Sequence, residues 1–354
     1  MSVLRRTSAL VTLAALVLVA AGCSSTADST AAPDGAAATE SGFPRTIEHA
    51  LGEATIPEKP ERVVTLSWMN HDIVAALGVA PVGVPETWGG DEEGFTPWFR
   101  DQIENELDAE MPEVITVTED GPDYEQILAL QPDVIIGVYS GFTETEYKRL
   151  SEIAPTVGYM DRPFTAGTWQ EHTEIIGKIL GEEDKAAELI EQTEAAIAEE
   201  AAKYPNLKGA SFLYSTTFSS GATEITAYIS EDPRVRLLHE FGMVDTPQLA
   251  AKTADVPADT WYGGISLEEL DSVEADVVLA WSYADADTKH TLEHPVFNRW
   301  DPIANGRYFI AEDNTLGMAT SGPSVLSIQW AIEQGYIKDI SAAIDGGAVV
   351  RRAQ

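Results

Sequence analysis

The sequence predicts an α/β protein of two similar lobes, with mainly parallel sheets joined by one long, rigid α-helix. Apolar runs at 62–66 and 132–136 indicate buried strands that alternate with helical segments, which is typical of parallel sheets covered on both faces. Residues 124–136 match residues 267–279 at a constant offset of 143, and each copy is a helix that feeds an apolar strand. Chance similarity between short α/β units is the alternative, although a looser echo pairs 73–79 with 237–243.

A helical region separates the two copies. Residues 168–179 and 183–203 predict two helices, and the second ends before Pro205 because proline cannot continue it. A helix of about 21 residues is roughly 31 Å long, which is enough to cross between two lobes. The predicted boundaries are an N-terminal lobe at 43–165, a helical connector at 166–205, a C-terminal lobe at 206–345 and a tail at 346–354.

The N-terminus has the pattern of an export signal. Arg5 and Arg6 precede an apolar run at 9–21, which is shorter than the roughly 20 residues that cross a bilayer. A signal peptide is predicted at 1–22, and residues 20–23 resemble the lipobox of bacterial lipoproteins. An ordinary signal peptide that happens to end near a cysteine is the alternative. Cys23 is the one cysteine in the sequence, so it lacks a disulfide partner, and lipidation gives it a role.

The segment after the signal and the overall charge indicate where the protein works. Residues 23–42 are rich in Ser, Thr, Ala and Gly and predict a flexible tether. The chain has 22 basic against 58 acidic residues, a net charge of −36, and such a surface repels nucleic acid and anionic lipid. We expect an extracytoplasmic monomer, held at the outer face of the cell membrane through Cys23, with no nucleic-acid partner.

The candidate ligand site follows from the predicted strand ends. Ligands of open parallel sheets bind beside the loops after the carboxyl ends of the strands, and in two lobes these loops face each other. Aromatic residues recur there; rigid rings form apolar walls, and Tyr and Trp add a hydrogen-bond donor. Core packing is the alternative for each of them. The candidate ligand-contacting residues are Trp68, Trp88, Tyr139, Phe142, Arg162, Tyr214, Phe218, Trp281, Tyr283 and Met318.

Several stretches of the chain, in this order, resemble one family. They are residues 60–64 after a Gly-turn hairpin, 124–133, 154–157, 306–308 and 324–327. Together they resemble the solute-binding proteins of ABC importers for ferric siderophores, haem and cobalamin, and the iron-siderophore group most of all. The resemblance covers about residues 43–345 and implies two α/β lobes that capture a ligand between them and deliver it to a membrane permease.

The resemblance also implies two residues that dock the permease. One Glu on each lobe of such proteins meets basic residues of the permease, and the matching positions are Glu125 and Glu268. Two symmetrically placed carboxylates suit a two-fold symmetric permease, although exposed ion pairs contribute only about 0–1 kcal/mol each. The alternative is that both are solvated acids at helix starts, where the helix dipole favours them.

The charges near the strand ends predict the class of siderophore. An iron–triscatecholate carries about three negative charges and needs several cations around it. This chain instead places acidic residues after predicted strands, at Glu119, Asp120, Asp285 and Asp287, with Arg162 as the basic residue that stands out. A neutral or cationic ferric hydroxamate fits better. Arg162 would donate to hydroxamate oxygens, or else has a structural role beside Pro163.

Three other classes of function compete with this interpretation. A free metal-ion site would use His71, His290 or His294, but too few histidines stand at the other strand ends. Haem or cobalamin binding within the same family stays open, with His71 or Tyr139 as a possible axial ligand. The motifs of nucleophilic, metal-dependent or phosphate-binding enzymes are absent from the sequence, so no cofactor and no turnover are expected. The Fe(III) would arrive as part of the ligand.

Overall fold

Two five-stranded parallel sheets form the centres of two lobes. A computed structural model describes residues 42–164, 167–257, 260–282 and 284–352. The predicted signal peptide, the tether through residue 41 and Cys23 lie outside the described residues. The predicted α/β class, with two similar lobes on mainly parallel sheets, is confirmed.

The N-terminal lobe opens with an antiparallel hairpin that turns at Gly52 and continues into a parallel sheet in the order β5-β4-β3-β8-β9. Its strands are β1 Arg45–His49, β2 Gly52–Ile56, β3 Val63–Thr65, β4 Gly83–Pro85, β5 Glu113–Ile115, β6 Val117–Thr118, β7 Gly121–Pro122, β8 Val134–Ile136 and β9 Thr156–Val157. Its helices are α1 Asn70–Ala76, α2 Pro97–Asp101, α3 Tyr124–Ala129 and α4 Glu144–Ser151.

The C-terminal lobe has a parallel sheet in the order β12-β10-β14-β15-β16 and a separate two-stranded antiparallel layer, β11 with β13. Its strands are β10 Ser211–Thr216, β11 Glu224–Tyr228, β12 Val244–Asp245, β13 Tyr262–Ser266, β14 Val277–Trp281, β15 Tyr308–Ala311 and β16 Val349–Arg351. Its helices are α7 Pro233–Glu240, α8 Leu249–Lys252, α9 Asp285–Glu293, α10 Asp301–Ala304, α11 Asn314–Ser321, α12 Val325–Glu333 and α13 Tyr336–Ile344.

The internal repeat seen in the sequence has a physical basis in side-chain hydrogen bonds. Asp133 accepts hydrogen bonds from two backbone N–H groups that precede β3, and Asp276 accepts two from the backbone N–H and hydroxyl of Ser211 at the start of β10. Each aspartate therefore fixes the start of its own strand, β8 or β14, beside the first central strand of its lobe. The two copies occupy equivalent positions in the two sheets.

The predicted connector consists of two helices, α5 Trp169–Leu180 and α6 Glu183–Ala201. Gly181 ends α5 in the left-handed conformation at φ 72°, which glycine adopts without strain. Ala186 near the start of α6 lies in the apolar core of the N-terminal lobe. Ile197 near its end lies in a second core that contains Phe212 of β10. The helix therefore spans from one lobe to the other.

A second helix also joins the lobes, which the sequence did not indicate. Helix α12 belongs to the C-terminal lobe in the chain, yet it packs against α1 and α2 of the N-terminal lobe as well as α6. Ile328 of α12 shares one continuous apolar cluster with Ala75 and Phe99 of the N-terminal lobe. The lobes thus meet through a buried interface beside the connector.

Two details differ from the sequence predictions. Residues 349–351, expected in a C-terminal tail, form β16 and pair in parallel with β15, so they complete the second sheet. Three residues after Gly346 and Gly347 are too short a run to be recognised as a strand. The second copy of the repeated helix, Leu267–Ser272, is a 3₁₀-helix rather than an α-helix, which is a common geometry for short helical pieces.

Candidate ligand-binding site

The loops after β3 and β8 form an aromatic wall on the N-terminal lobe. Ser67 and Met69 have φ of 69° and 53°, so the chain turns sharply where β3 ends. The Asn70 side chain then donates to the Leu66 carbonyl at 2.7 Å and accepts from the Tyr139 N–H at 3.4 Å. The rings of Trp68 and Tyr139 face each other at 6.5 Å between centroids with 25° between their planes. Asn70 therefore holds both loops, and their aromatic residues, in register.

A cavity of about 300 Å³ opens beside this wall. The ring of Phe142 lies over Gly137 and that of Phe164 lies over Gly141, so closely that a Cβ atom on either glycine would come within 2.4 Å of the ring. Both glycines are therefore needed for this arrangement of rings. The residues that line the cavity are Leu66, Ser67, Trp68, Pro85, Glu86, Val117, Pro122, Ser140, Gly141, Phe142, Glu146 and Phe164.

The C-terminal lobe contributes a buried arginine, Arg234, held on three sides. Its Nη1 donates to Asp232 Oδ2 at 2.7 Å and its Nε donates to the Ser321 hydroxyl at 3.1 Å. Its guanidinium carbon lies 4.6 Å from the centroid of the Tyr228 ring, a cation–π contact. Arg234 and Asp232 are only 6% and 1% exposed, so the pair is a buried, internally neutralised charge.

Local sequence explains why this arginine is buried. Asp232 caps the N-terminus of α7 by accepting from the Arg234 N–H at 2.9 Å, and Pro233 occupies the first helical position. The same carboxylate thus fixes the helix start with one oxygen and the guanidinium with the other. Burial raises the pKa of Asp232, and the nearby Arg234 charge opposes that rise.

Aromatic side chains surround Arg234 from both lobes. Trp281 Nε1 donates to the Tyr228 hydroxyl at 3.0 Å, and the Tyr214 and Tyr228 rings meet edge to face at 5.4 Å. Tyr139 of the N-terminal lobe is buried here too; burial raises the pKa of its phenol, and the positive charge of Arg234 partly offsets the rise. Arg234 therefore acts electrostatically on both lobes at this site.

Phe164 makes an aromatic contact that crosses between the lobes. Its ring lies edge to face with Tyr139 at 5.8 Å and with Trp261 of the C-terminal lobe at 5.5 Å. Phe164 has φ of 58°, a strained conformation for a bulky residue. Strain of this kind clusters at ligand sites, so this position is a candidate for ligand contact.

The structure brings together five of the residues predicted from sequence, namely Trp68, Tyr139, Phe142, Tyr214 and Trp281. Trp88 and Met318 lie where the lobes touch: Trp88 meets Trp281 at 5.3 Å, and Met318 is only 2% exposed on α11. Two are elsewhere: Arg162 lines a separate cavity with Arg236, and Phe218 packs against Phe297 in the core of the C-terminal lobe. Tyr283 lies outside the described residues.

Sequence reasoning missed Arg234, Tyr228 and Phe164. The sequence pattern indicated loops after strands of the parallel sheets, whereas Tyr228 ends β11 in the separate antiparallel layer. Arg234 lies in the first turn of α7 and not in a loop after a strand. The available signal was the Asp-Pro-Arg order at the start of that helix, since an N-cap aspartate has a second oxygen free for a cation two residues on.

Glu125 and Glu268 occupy matching positions in the two lobes. Glu125 follows Asp123, which caps α3, and Glu268 follows Ser266, which caps the 3₁₀-helix; each cap accepts from the backbone N–H of the glutamate. Both glutamates are exposed. The two capped starts therefore present their carboxylates to solvent in the same way.

The structure argues against His71 as a metal or haem ligand. His71 is 2% exposed and lies edge to face with Phe99 at 4.8 Å in the interface between lobes, so it does not face a cleft. Within residues 42–352 as far as they are described, no group of three or more metal-ligating side chains converges. In the same part of the chain, no helix is long and apolar enough to cross a membrane.

Comparison with known proteins places this chain in a family. Residues 63–315 match the model of the periplasmic binding protein family, and the chain belongs to that family. Its members bind solutes and are not enzymes.

Two curated relatives and one solved structure are informative. "Probable siderophore-binding lipoprotein YfiY" of Bacillus subtilis is 25% identical over 72% of this chain and 74% of that protein. "Fe(3+) dicitrate-binding periplasmic protein FecB" of Escherichia coli is 26% identical over 74% of this chain and 77% of that protein. PiaA of Streptococcus pneumoniae, solved in complex with ferrichrome, is 31% identical over 85% of this chain and 99% of that one, with a TM-score of 0.76.

Proposed function

We propose that this protein captures a ferric siderophore of the hydroxamate type between its lobes and delivers it to an ABC importer. One observation carries the ligand class: the buried cation at the site, Arg234, is already neutralised by Asp232 at 2.7 Å. Three hydroxamates cancel the charge of Fe(III), so such a chelate needs donors and apolar walls but no excess of cations. Arg234 and the N–H and O–H groups of Trp and Tyr supply the hydrogen-bond donors, and the aromatic rings supply the apolar walls.

Other ligand charges suit this site less well. A triscatecholate brings about three negative charges, and burying them beside a neutral ion pair leaves them uncompensated. The cavity on the N-terminal lobe also carries the carboxylates of Glu86 and Glu146, which repel an anion. The relatives differ in their ligands, since FecB is named for ferric dicitrate whereas PiaA holds ferrichrome, a ferric hydroxamate. The charges in this chain favour a ferric hydroxamate over ferric dicitrate.

A ligand panel tests the proposal. Quenching of tryptophan fluorescence is measured with ferrichrome, ferrioxamine B, a ferric triscatecholate, ferric dicitrate, haem and cobalamin. We expect at least one ferric hydroxamate to bind at least about a hundredfold more tightly than the triscatecholate, since an uncompensated buried charge costs more than about 3 kcal/mol. Tighter binding of the triscatecholate, or a Soret shift with haem at lower concentration, would contradict the ligand class.

The proposal places the protein at the outer face of the membrane. A lipid on Cys23 would confine it to the plane of the permease, and a tether of roughly 20 residues would let it reach the permease at high effective concentration. Glu125 and Glu268 would then orient docking through basic residues of the permease. Both glutamates are exposed and matched between lobes, which supports this role.

Charge reversal tests the docking surface. The double variant Glu125→Lys/Glu268→Lys is expected to lower uptake of radiolabelled ferric siderophore by cells about tenfold, since two lost contacts of roughly 0.5–1 kcal/mol each give that factor. Ligand affinity of the purified variant should not change. The matched control is Glu191→Lys/Glu199→Lys, two exposed charges reversed on α6. Equal uptake by both double variants would remove Glu125 and Glu268 from docking.

A further inference from the structure

Trp88 of the N-terminal lobe is inserted against helix α11 of the C-terminal lobe. A Cβ atom on Gly317 would lie 2.8 Å from the Trp88 ring, so glycine is required for the ring to approach α11. The following residue, Gly89, has φ of 80° and accepts a hydrogen bond from the Thr315 hydroxyl at 2.7 Å. The loop after β4 therefore docks on α11 through two glycines and one polar contact between lobes.

From Trp88 a chain of contacts leads to the buried arginine. Trp88 meets Trp281 edge to face at 5.3 Å, with 64° between the ring planes. Trp281 Nε1 donates to the Tyr228 hydroxyl at 3.0 Å, and the Tyr228 ring lies 4.6 Å from the Arg234 guanidinium carbon. The Trp88 contact joins two lobes, whereas the later contacts lie within the C-terminal lobe.

We propose that Trp88 is a positioning residue that links closure of the lobes to the orientation of Arg234, through Trp281 and Tyr228. This inference rests on the proposed function, because it assigns Arg234 to ligand binding. When the lobes part, Trp281 loses its contact with Trp88, and the indole that donates to the Tyr228 hydroxyl is then positioned by the C-terminal lobe alone. Closure over a ligand restores the contact, so capture and arginine orientation become coupled. A ligand wall, the role predicted from sequence, would act independently of Tyr228.

A double-mutant cycle separates the two roles. Affinities for ferrichrome and ferrioxamine B are measured by calorimetry for Trp88→Ala, Tyr228→Phe and the double variant. Tyr228→Phe keeps the ring under Arg234 but removes the hydroxyl that accepts from Trp281. We expect Trp88→Ala to weaken binding about tenfold in the wild-type background and less than about twofold in the Tyr228→Phe background, since residues in one network do not act additively.

Two further variants guard against effects of misfolding. Gly317→Ala places a methyl group against the Trp88 ring and improves helix propensity, so it should weaken binding as Trp88→Ala does while α11 stays folded. Trp88→Phe retains an aromatic edge and should recover affinity to within about threefold. The matched control is Tyr308→Ala, a partly buried aromatic residue that packs on a core made of C-terminal-lobe residues alone, and it should leave affinity unchanged.

The possible results separate failure of the positioning role of Trp88 from failure of the proposed function. If wild-type protein binds neither ferric hydroxamate, the proposed function fails and the inference fails with it. If wild type binds and Trp88→Ala costs the same factor in both backgrounds, the proposed function stands and the positioning role is overturned. The same holds if Gly317→Ala binds as wild type does.

Discussion

Replacing Asp232 with alanine is expected to lower the free energy of unfolding by about 3–5 kcal/mol, because it leaves the buried Arg234 charge without its counter-ion. Asp232 is 1% exposed and makes the 2.7 Å contact to Nη1 of Arg234. It also caps α7, and loss of a cap alone costs about 1 kcal/mol. Urea denaturation followed by circular dichroism measures the difference between variant and wild type.

Two controls separate the ion pair from the cap. Asp123→Ala removes an exposed N-cap from α3 and should cost only about 1 kcal/mol. The double variant Asp232→Asn/Arg234→Met removes both charges and should be more stable than Asp232→Ala, since apolar replacement of a buried pair is often neutral. It should nevertheless lose ferric-hydroxamate binding. A cost of Asp232→Ala no larger than that of Asp123→Ala would contradict the account.

The parts of the fold that the sequence predicted well are those with a repeated local cause. Residues 124–136 and 267–279 each contain a capped helix start, and each contains an aspartate, Asp133 or Asp276, that pins a strand. Such local hydrogen bonds leave the same spacing in both copies, so the offset of 143 revealed two related lobes. Exposed Glu125 and Glu268 follow from the same register.

The parts that escaped prediction depend on contacts between distant segments. The Ser324 hydroxyl, which caps α12, donates to Asp72 of the N-terminal lobe, 252 positions away. Nothing in the local sequence of α12 indicates that partner. Trp88 follows a strand, which is the position expected of a ligand-contacting residue. Its ring nevertheless packs on the opposite lobe, where Gly317 leaves room for it. The position of a residue after a strand predicts the edge of the sheet at which it lies. The residue that it contacts depends on how the two lobes pack against each other.

The long connector helix by itself predicts limited hinge motion between the lobes. Further contacts between the lobes are made by the loop that contains Trp88 on α11, by Phe164 on Trp261, and by α12 on α1. We expect the Trp88 and Phe164 contacts to separate when a ligand enters. The interface at α12 is buried, so we infer that it is the pivot for that movement.

Asp72 holds that pivot together, and its replacement by alanine is expected to cost about 2–4 kcal/mol of unfolding free energy. Asp72 Oδ2 accepts hydrogen bonds from Trp98 Nε1 of α2 and from the Ser324 hydroxyl that caps α12, both at 2.8 Å. All three residues are at most 6% exposed, so alanine leaves two buried donors without an acceptor, at roughly 1–3 kcal/mol each. Chemical denaturation measures the loss.

The same change should loosen the lobes before it unfolds them. Hydrogen exchange in α1 and at the start of α12 is expected to rise at least about tenfold more in Asp72→Ala than exchange at the centre of β14, which opens only when the whole protein unfolds. Trp98→Phe removes one donor together with its need for an acceptor and keeps the Ser324 bond that joins the lobes, so it should cost less and leave α12 protected. If Asp72→Ala raised exchange equally in β14 and α12, the carboxylate would stabilise the whole fold and the pivot would have to lie elsewhere.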